Sequence, residues 1–109
     1  RGWDQKDWGT SVAVDCTIGD VSADDYDALL LPGGQMNPDI LRTERSVIDA
    51  VLAFDAAEKP IAAICHAPWL LAEADLIDGR TVTGWPSIRT DLANAGADVV
   101  DEEVVVDGN

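Results

Sequence analysis

The residues best placed to do chemistry lie in one run, Ala63-Ile64-Cys65-His66-Ala67-Pro68. A thiol and an imidazole side by side supply a nucleophile and a proton carrier, the minimum needed to attack an electrophilic carbon. An apolar stretch ends at Cys65, and a helix-compatible stretch begins just after it. This is the pattern of a nucleophile elbow, a sharp strand-to-helix turn that exposes one side chain at the end of a sheet. The turn needs small residues two before and two after the nucleophile, and Ala63 and Ala67 meet that need. A following helix presents free N–H groups and the positive end of its dipole, which favour a thiolate. The His66 N–H, directly after the nucleophile, is positioned to donate to an oxyanion. A lone cysteine is more commonly an inert core residue; the elbow and the adjacent histidine turn the reading toward chemistry.

Pro32-Gly33-Gly34 is the second candidate. It follows an apolar run and so falls at the same carboxyl edge of a parallel sheet, where open α/β folds place ligands. Glycines let backbone N–H groups face a bound oxygen without interference from Cβ, so Gly33 and Gly34 are candidate oxyanion donors beside His66. The spacing of a dinucleotide-binding fingerprint is absent. Trp69 and Trp85 are candidates for the mouth of the pocket, with packing an equal alternative. Cys16 reads as a core residue, and Asp24, Asp25 and Asp27 as a solvated turn.

Positioning these groups requires alternating strands and helices. Val12, Val14, Cys16 and Ile18 alternate with polar or small residues, the period of a half-buried strand. Ala28-Leu29-Leu30-Leu31 and Ile61 to Ile64 are short unbroken apolar runs, suited to strands buried on both faces. Thr43 is placed to cap a helix with Val47, Ile48, Val51, Leu52 and Phe54 on its apolar face. A second helix is expected over residues 68–74, then a strand at Thr81-Val82-Thr83. A third helix is expected from a Ser87 cap to about Ala95, before Gly96. Val104-Val105-Val106 reads as a last strand leading into an Asp107-Gly108 turn. The order predicts an α/β fold with a mainly parallel sheet and helices on both faces. The turn at Asp107-Gly108 has no return strand, and residues 1–9 read like the middle of a loop. The expectation is therefore a single domain, 1–109, lacking its first strand or strands and a C-terminal strand and helix.

Composition limits the function classes. Acidic side chains number 21 against 7 basic ones, a formal charge of −14, so binding to a phosphate backbone is not expected. The acidity suits solvation in a salty cytoplasm, or marks a merely acidic protein. No apolar run approaches the roughly 18 residues of a membrane span, and no leader opens the chain, so a cytoplasmic location is expected. Two cysteines do not make a disulfide framework, and the single histidine excludes zinc-ligand spacing.

Longer stretches carry a family resemblance. Asp25-Tyr26-Asp27-Ala28-Leu29-Leu30-Leu31-Pro32-Gly33-Gly34 resembles the D-Y-D-A-L-x-L-P-G-G segment of ThiJ/PfpI proteins, and the segments Asn37 to Arg42 and Lys59 to His66 are similar to it in kind. Trp85-Pro86-Ser87-Ile88-Arg89-Thr90-Asp91-Leu92 and the segment Asp101 to Asn109 look like the PfpI-type subgroup. The resemblance covers nearly the whole chain from Val12. It implies a flavodoxin-like three-layer sandwich of the class I glutamine-amidotransferase-like superfamily. It implies Cys65 as nucleophile and His66 as its partner, with no metal or organic cofactor. Members are described as intracellular cysteine peptidases, glyoxalases and deglycases, associated with stress responses and forming homodimers or homohexamers. In some, a carboxylate after P-G-G reaches a neighbouring subunit's Cys-His pair, and Asp39 is the match here, one methylene shorter than the usual Glu. The family's first strand carries a Glu that hydrogen-bonds the thiol, and no residue here corresponds to it. Ala67 stands where glycine is common.

Three functions follow as expectations. The first is a thiol hydrolase acting on reactive carbonyls or glycated adducts. The second is a cysteine peptidase using the same attack on an amide. The third is a non-enzymatic redox sensor or chaperone whose thiol is oxidised.

Overall fold

The computed structural model describes residues 7–109 together with the backbone of Trp3–Asp4. Strands β1 (Trp3–Asp4) and β2 (Asp7–Trp8) form a short antiparallel pair. After them come β3 (Leu29–Leu31), α1 (Met36–Leu41), α2 (Arg45–Ala56), β4 (Ile61–Ala63) and α3 (Pro68–Glu73). The chain continues through β5 (Thr81–Val82), α4 (Arg89–Asn94) and β6 (Asp98–Val99). Strand β3 pairs parallel with β4, Leu31 opposite Ala63, and β5 pairs parallel with β6. The parallel α/β architecture expected from the sequence is present. Its βαβ crossovers bring the loops after β3 and β4 to one end.

The core has two centres. Val47, Ile48 and Val51 on α2 pack with Leu31, Ala67, Leu70 and Ala74, and half-buried Leu29, Ile61 and Ala63 join them from the strands. The spacing of three and four along α2 puts its apolar residues on one face, as read from the sequence. Ile77, Ile88 and Leu92 form the second centre with Val82, Val99 and Trp69 around them. Leu70, Ile88 and Leu92 are at most 1% exposed.

Several expectations are corrected. Residues 12–17 form no strand; Val12 and Val14 are three-quarters exposed and Cys16 is on the surface, not in a core. Alternation supplies a face to bury, but no neighbouring strand pairs with this segment among the described residues. Residues 104–106 likewise form no strand, and the last strand lies earlier, at Asp98–Val99. Asp107 closes no hairpin; its carboxylate accepts from Thr81 N–H at 2.7 Å, so it docks against β5. Thr43 does not cap α2. Its hydroxyl donates to Ile40 C=O at 2.7 Å, closing α1, and Glu44 takes the cap position.

The strands are not buried on both faces. Leu29 and Leu31 meet the helices, whereas Leu30 and Ile64 are 68% and 61% exposed. Ala62, Ile64, Thr81, Thr83, Val104 and Val106 border an open trough of about 710 Å³.

Leu70 joins α3, which follows the elbow, to the first core centre. Leu70→Ala is expected to cost about 2–5 kcal/mol, read as a shift in the midpoint of denaturant unfolding at unchanged slope.

Candidate active site

The site is built where β3 and β4 end. Ile64 N–H donates to Leu31 C=O at 3.3 Å, the last link of the ladder. Cys65 then takes φ +63°, a left-handed conformation that an L-residue with a Cβ rarely adopts. Ala67 N–H closes the turn on Ile64 C=O at 3.0 Å, and Pro68 opens α3. Pro68 suits this place because its fixed φ matches the helix and its missing N–H has no intrahelical acceptor there. Ala67 is fully buried, so the small-residue requirement is real at that position. The elbow expected from the sequence is present, with its strain at the predicted nucleophile. Helix α3 has only six residues, so its dipole is a small contribution beside the local N–H groups.

Successive side chains on a strand point to opposite faces; the left-handed turn breaks that alternation. Cys65 Sγ comes to 3.2 Å from His66 Nδ1. His66 is only 7% exposed, and its other ring nitrogen, Nε2, lies 3.2 Å from Ser87 Oγ. Trp85 stacks on the imidazole at 6.0 Å between centroids, and Trp69 meets it edge-on at 5.2 Å. Trp85 is also tied to the elbow through the backbone, its N–H donating to Cys65 C=O at 2.9 Å. Both tryptophans therefore border the Cys65–His66 pair, and Trp69 is held by donating its indole N–H to Asp91 at 3.0 Å. The Arg42 guanidinium lies over the Trp69 ring at 5.4 Å.

Gly33 sits against Cys65. A Cβ built on it would lie 2.7 Å from Cys65 Cβ and 3.0 Å from Ile64 C=O, closer than packed atoms allow. Gly34 holds φ +86° with open space around it. The loop is pinned by Asn37, whose side chain donates to Pro32 C=O at 3.3 Å. Among the described residues, no protein acceptor takes the N–H of Gly33, Gly34 or His66. Unclaimed donors beside a nucleophile are what an oxyanion site requires.

One assignment changes. Ser87 caps no helix: it lies in the single turn Pro86–Ile88, Ile88 stands at the start of α4, and the serine hydroxyl turns to His66 instead. Its sequence signal was a polar residue after Trp-Pro, which fits a cap equally well. Asp39 is exposed on α1 and makes no hydrogen bond to the pair within this chain. No group of three or more potential metal ligands occurs among the described residues. Away from the site, the Tyr26 phenol is held above its ordinary value, first by its hydrogen bond with the Cys16 sulfur and then by charge on Cys16, Asp25 and Asp15.

Residues 5–109 match the profile of the DJ-1/PfpI family. General stress protein 18 of Bacillus subtilis is 52% identical over 101 residues, which are 93% of this chain and 58% of that protein. Deglycase PfpI of Pyrococcus furiosus is 43% identical over 101 residues, covering 93% of this chain and 60% of that one. The chain therefore spans less than two thirds of the length of these curated relatives. Among solved structures, Drosophila melanogaster DJ-1beta superposes with a TM-score of 0.82 at 32% identity, covering 90% of this chain and 53% of that one.

Two substitutions test the elbow. Gly33→Ala is expected to lower the iodoacetamide alkylation rate of Cys65 by about tenfold or more, because the new methyl group must displace the turn. Cys65→Gly is expected to be more stable than Cys65→Ala by about 1 kcal/mol, since glycine accepts positive φ; paired denaturant titrations measure the difference.

Proposed function

Because this chain belongs to the DJ-1/PfpI family, we propose that it is the thiol-bearing part of a stress-response enzyme that acts on reactive carbonyls or their glycated adducts. The reading is carried by one observation: a half-buried thiol in a left-handed elbow, 3.2 Å from an imidazole nitrogen and beside unclaimed N–H groups. The names of relatives as a general stress protein and as deglycases support it.

The chemistry follows from the geometry. His66 Nδ1 accepts the Cys65 proton, and Sγ forms a bond to the carbonyl carbon while the π pair moves to oxygen. The developing oxyanion is met by N–H groups of Gly33, Gly34 and His66. His66 then returns its proton to that oxygen, giving a neutral hemithioacetal, or to a departing amine when the substrate is an adduct. In the hemithioacetal of an α-oxoaldehyde, the proton on the sulfur-bearing carbon shifts through an enediol to the neighbouring carbonyl carbon, leaving a 2-hydroxyacyl thioester on Cys65 that water hydrolyses to the 2-hydroxy acid and the free thiol. This chemistry calls on no metal and no organic cofactor.

A peptidase would begin with the same attack, but an amide is a poorer electrophile and needs firm protonation of its leaving nitrogen. Within the chain the group behind His66 is a neutral hydroxyl, not a carboxylate, which favours carbonyl substrates. Asp39, exposed on α1, is free to face the Cys65–His66 pair of a second copy, so we place the working enzyme in a homodimer or homohexamer. We keep the cytoplasmic location expected from the sequence as part of this proposal; separately, no helix among the described residues is long and apolar enough to cross a membrane.

The test is methylglyoxal consumption by the full-length protein, wild type against Cys65→Ser, with casein cleavage measured in parallel. Carbonyl turnover abolished in the variant, with little casein cleavage, is the expected result. Casein cleavage alone would establish the peptidase reading. Absence of both, with Cys65 still oxidised by peroxide, would establish a redox sensor instead.

A further inference from the structure

The imidazole of His66 is gripped on four sides, and only one of the gripping groups lies far away in sequence and can exchange hydrogen bonds with it. Trp85 covers one face and Trp69 meets the ring edge-on, while Cys65 Sγ takes Nδ1. The remaining nitrogen, Nε2, is served by the Ser87 hydroxyl at 3.2 Å. That hydroxyl is held in place by its neighbours. Trp85 N–H is bonded to Cys65 C=O, Ile88 N–H to Trp85 C=O, and the Ile88 side chain is fully buried.

We propose that Ser87 is a positioning residue that orients His66 and keeps Nε2 partnered through both protonation states of the Cys65–His66 pair. This rests on the reading of that pair as catalytic. A hydroxyl both donates and accepts, whereas a carboxylate only accepts. With the thiol protonated, Sγ–H donates to Nδ1 and Nε2–H donates to Ser87 Oγ. After transfer, Nδ1–H faces the thiolate and Nε2–H still donates to Oγ. When the neutral ring instead carries its proton on Nδ1, the serine O–H turns to donate to Nε2. Nε2 therefore keeps a partner in a site where His66 is nearly water-free, and an unpartnered polar nitrogen there would be costly.

Other charges stand one group further out. Asp91 on α4 accepts from the Trp69 indole, not from the imidazole. Arg42, after α1, lies over Trp69 and pairs with Glu73 on α3 at 3.7 Å. Arg89, next to the Ser87 turn, pairs with Asp101 at 3.0 Å. Among the described residues no carboxylate and no cation hydrogen-bonds to the ring, so the neutral hydroxyl alone sets what lies behind it.

The experiment is the pH profile of Cys65 alkylation by iodoacetamide in the full-length protein, read with ring-nitrogen NMR of His66, assigned by its disappearance in His66→Gln. Ser87→Ala is expected to slow alkylation at neutral pH by roughly tenfold and to move the profile to higher pH, because the imidazolium loses a partner. Ser87→Thr should restore the wild-type profile to within about twofold. Ser87→Asp should move it to lower pH, because a carboxylate behind the ring favours the imidazolium–thiolate pair. An unchanged profile and unchanged His66 shifts in Ser87→Ala would overturn the proposal. Should that variant not fold, wild-type His66 shifts equal to those of a free imidazole would overturn it equally. Alkylation needs no substrate: a protein inert toward carbonyls but sensitive to Ser87 loses the functional reading and keeps this one, and the reverse result does the opposite.

Discussion

The close approach of Gly33 to Cys65 is the constraint on which the site depends. The loops that follow β3 and β4 touch at these two residues, and the approach sets Gly33 directly against Cys65. A Cβ on residue 33 would stand 2.7 Å from Cys65 Cβ, so contact is possible only with glycine there. The parallel register, Leu31 opposite Ala63, sets both loops at the same height. Cys65 then adopts φ +63°, a strain of about 1–2 kcal/mol for an L-residue. The ladder bond from Ile64 before it and the turn bond from Ala67 after it hold that strain in place.

His66 links the site to the second half of the domain. Cys65 and His66 stand between β4 and α3, which belong to the first core centre. Trp85, Ser87 and Ile88 belong to the turn leading into α4, and Ile88 is part of the second. The imidazole lies where the two centres meet. Burial and ring packing fix its plane, and hydrogen bonds fix its rotation. Histidine orientation is therefore a product of tertiary packing on both sides, although the residue is a sequence neighbour of the thiol it serves.

Short strands and small helices were read with uneven success, for reasons particular residues make plain. The α2 stripe of Val47, Ile48, Val51 and Phe54 is a local pattern with a local result. Residues 12–18 alternate just as clearly, yet Val12 and Val14 are exposed, because a strand also needs a neighbour. Val104 to Val106 have strong strand propensity and lie unpaired along the trough, while Asp98–Val99, with a weaker signal, pairs with β5. Pairing is a non-local decision, and propensity cannot make it.

The amino-acid sequence by itself determined the adjacency of Cys65 and His66, the elbow, the glycine loop and the parallel α/β class. Each of these rests on neighbours in the chain: an apolar run ending at Cys65, small residues flanking it, a proline opening the helix and adjacent glycines. Only the tertiary structure decided the third partner of the pair. Ser87 lies 21 positions from His66, and its polar side chain after Trp-Pro fits a helix cap as well as an imidazole contact. The choice between them was made by the packing of Ile88 into the core and by the Trp85–Cys65 backbone bond. Local patterns specify which groups are present and how the backbone turns beneath them, whereas long-range packing specifies which groups meet.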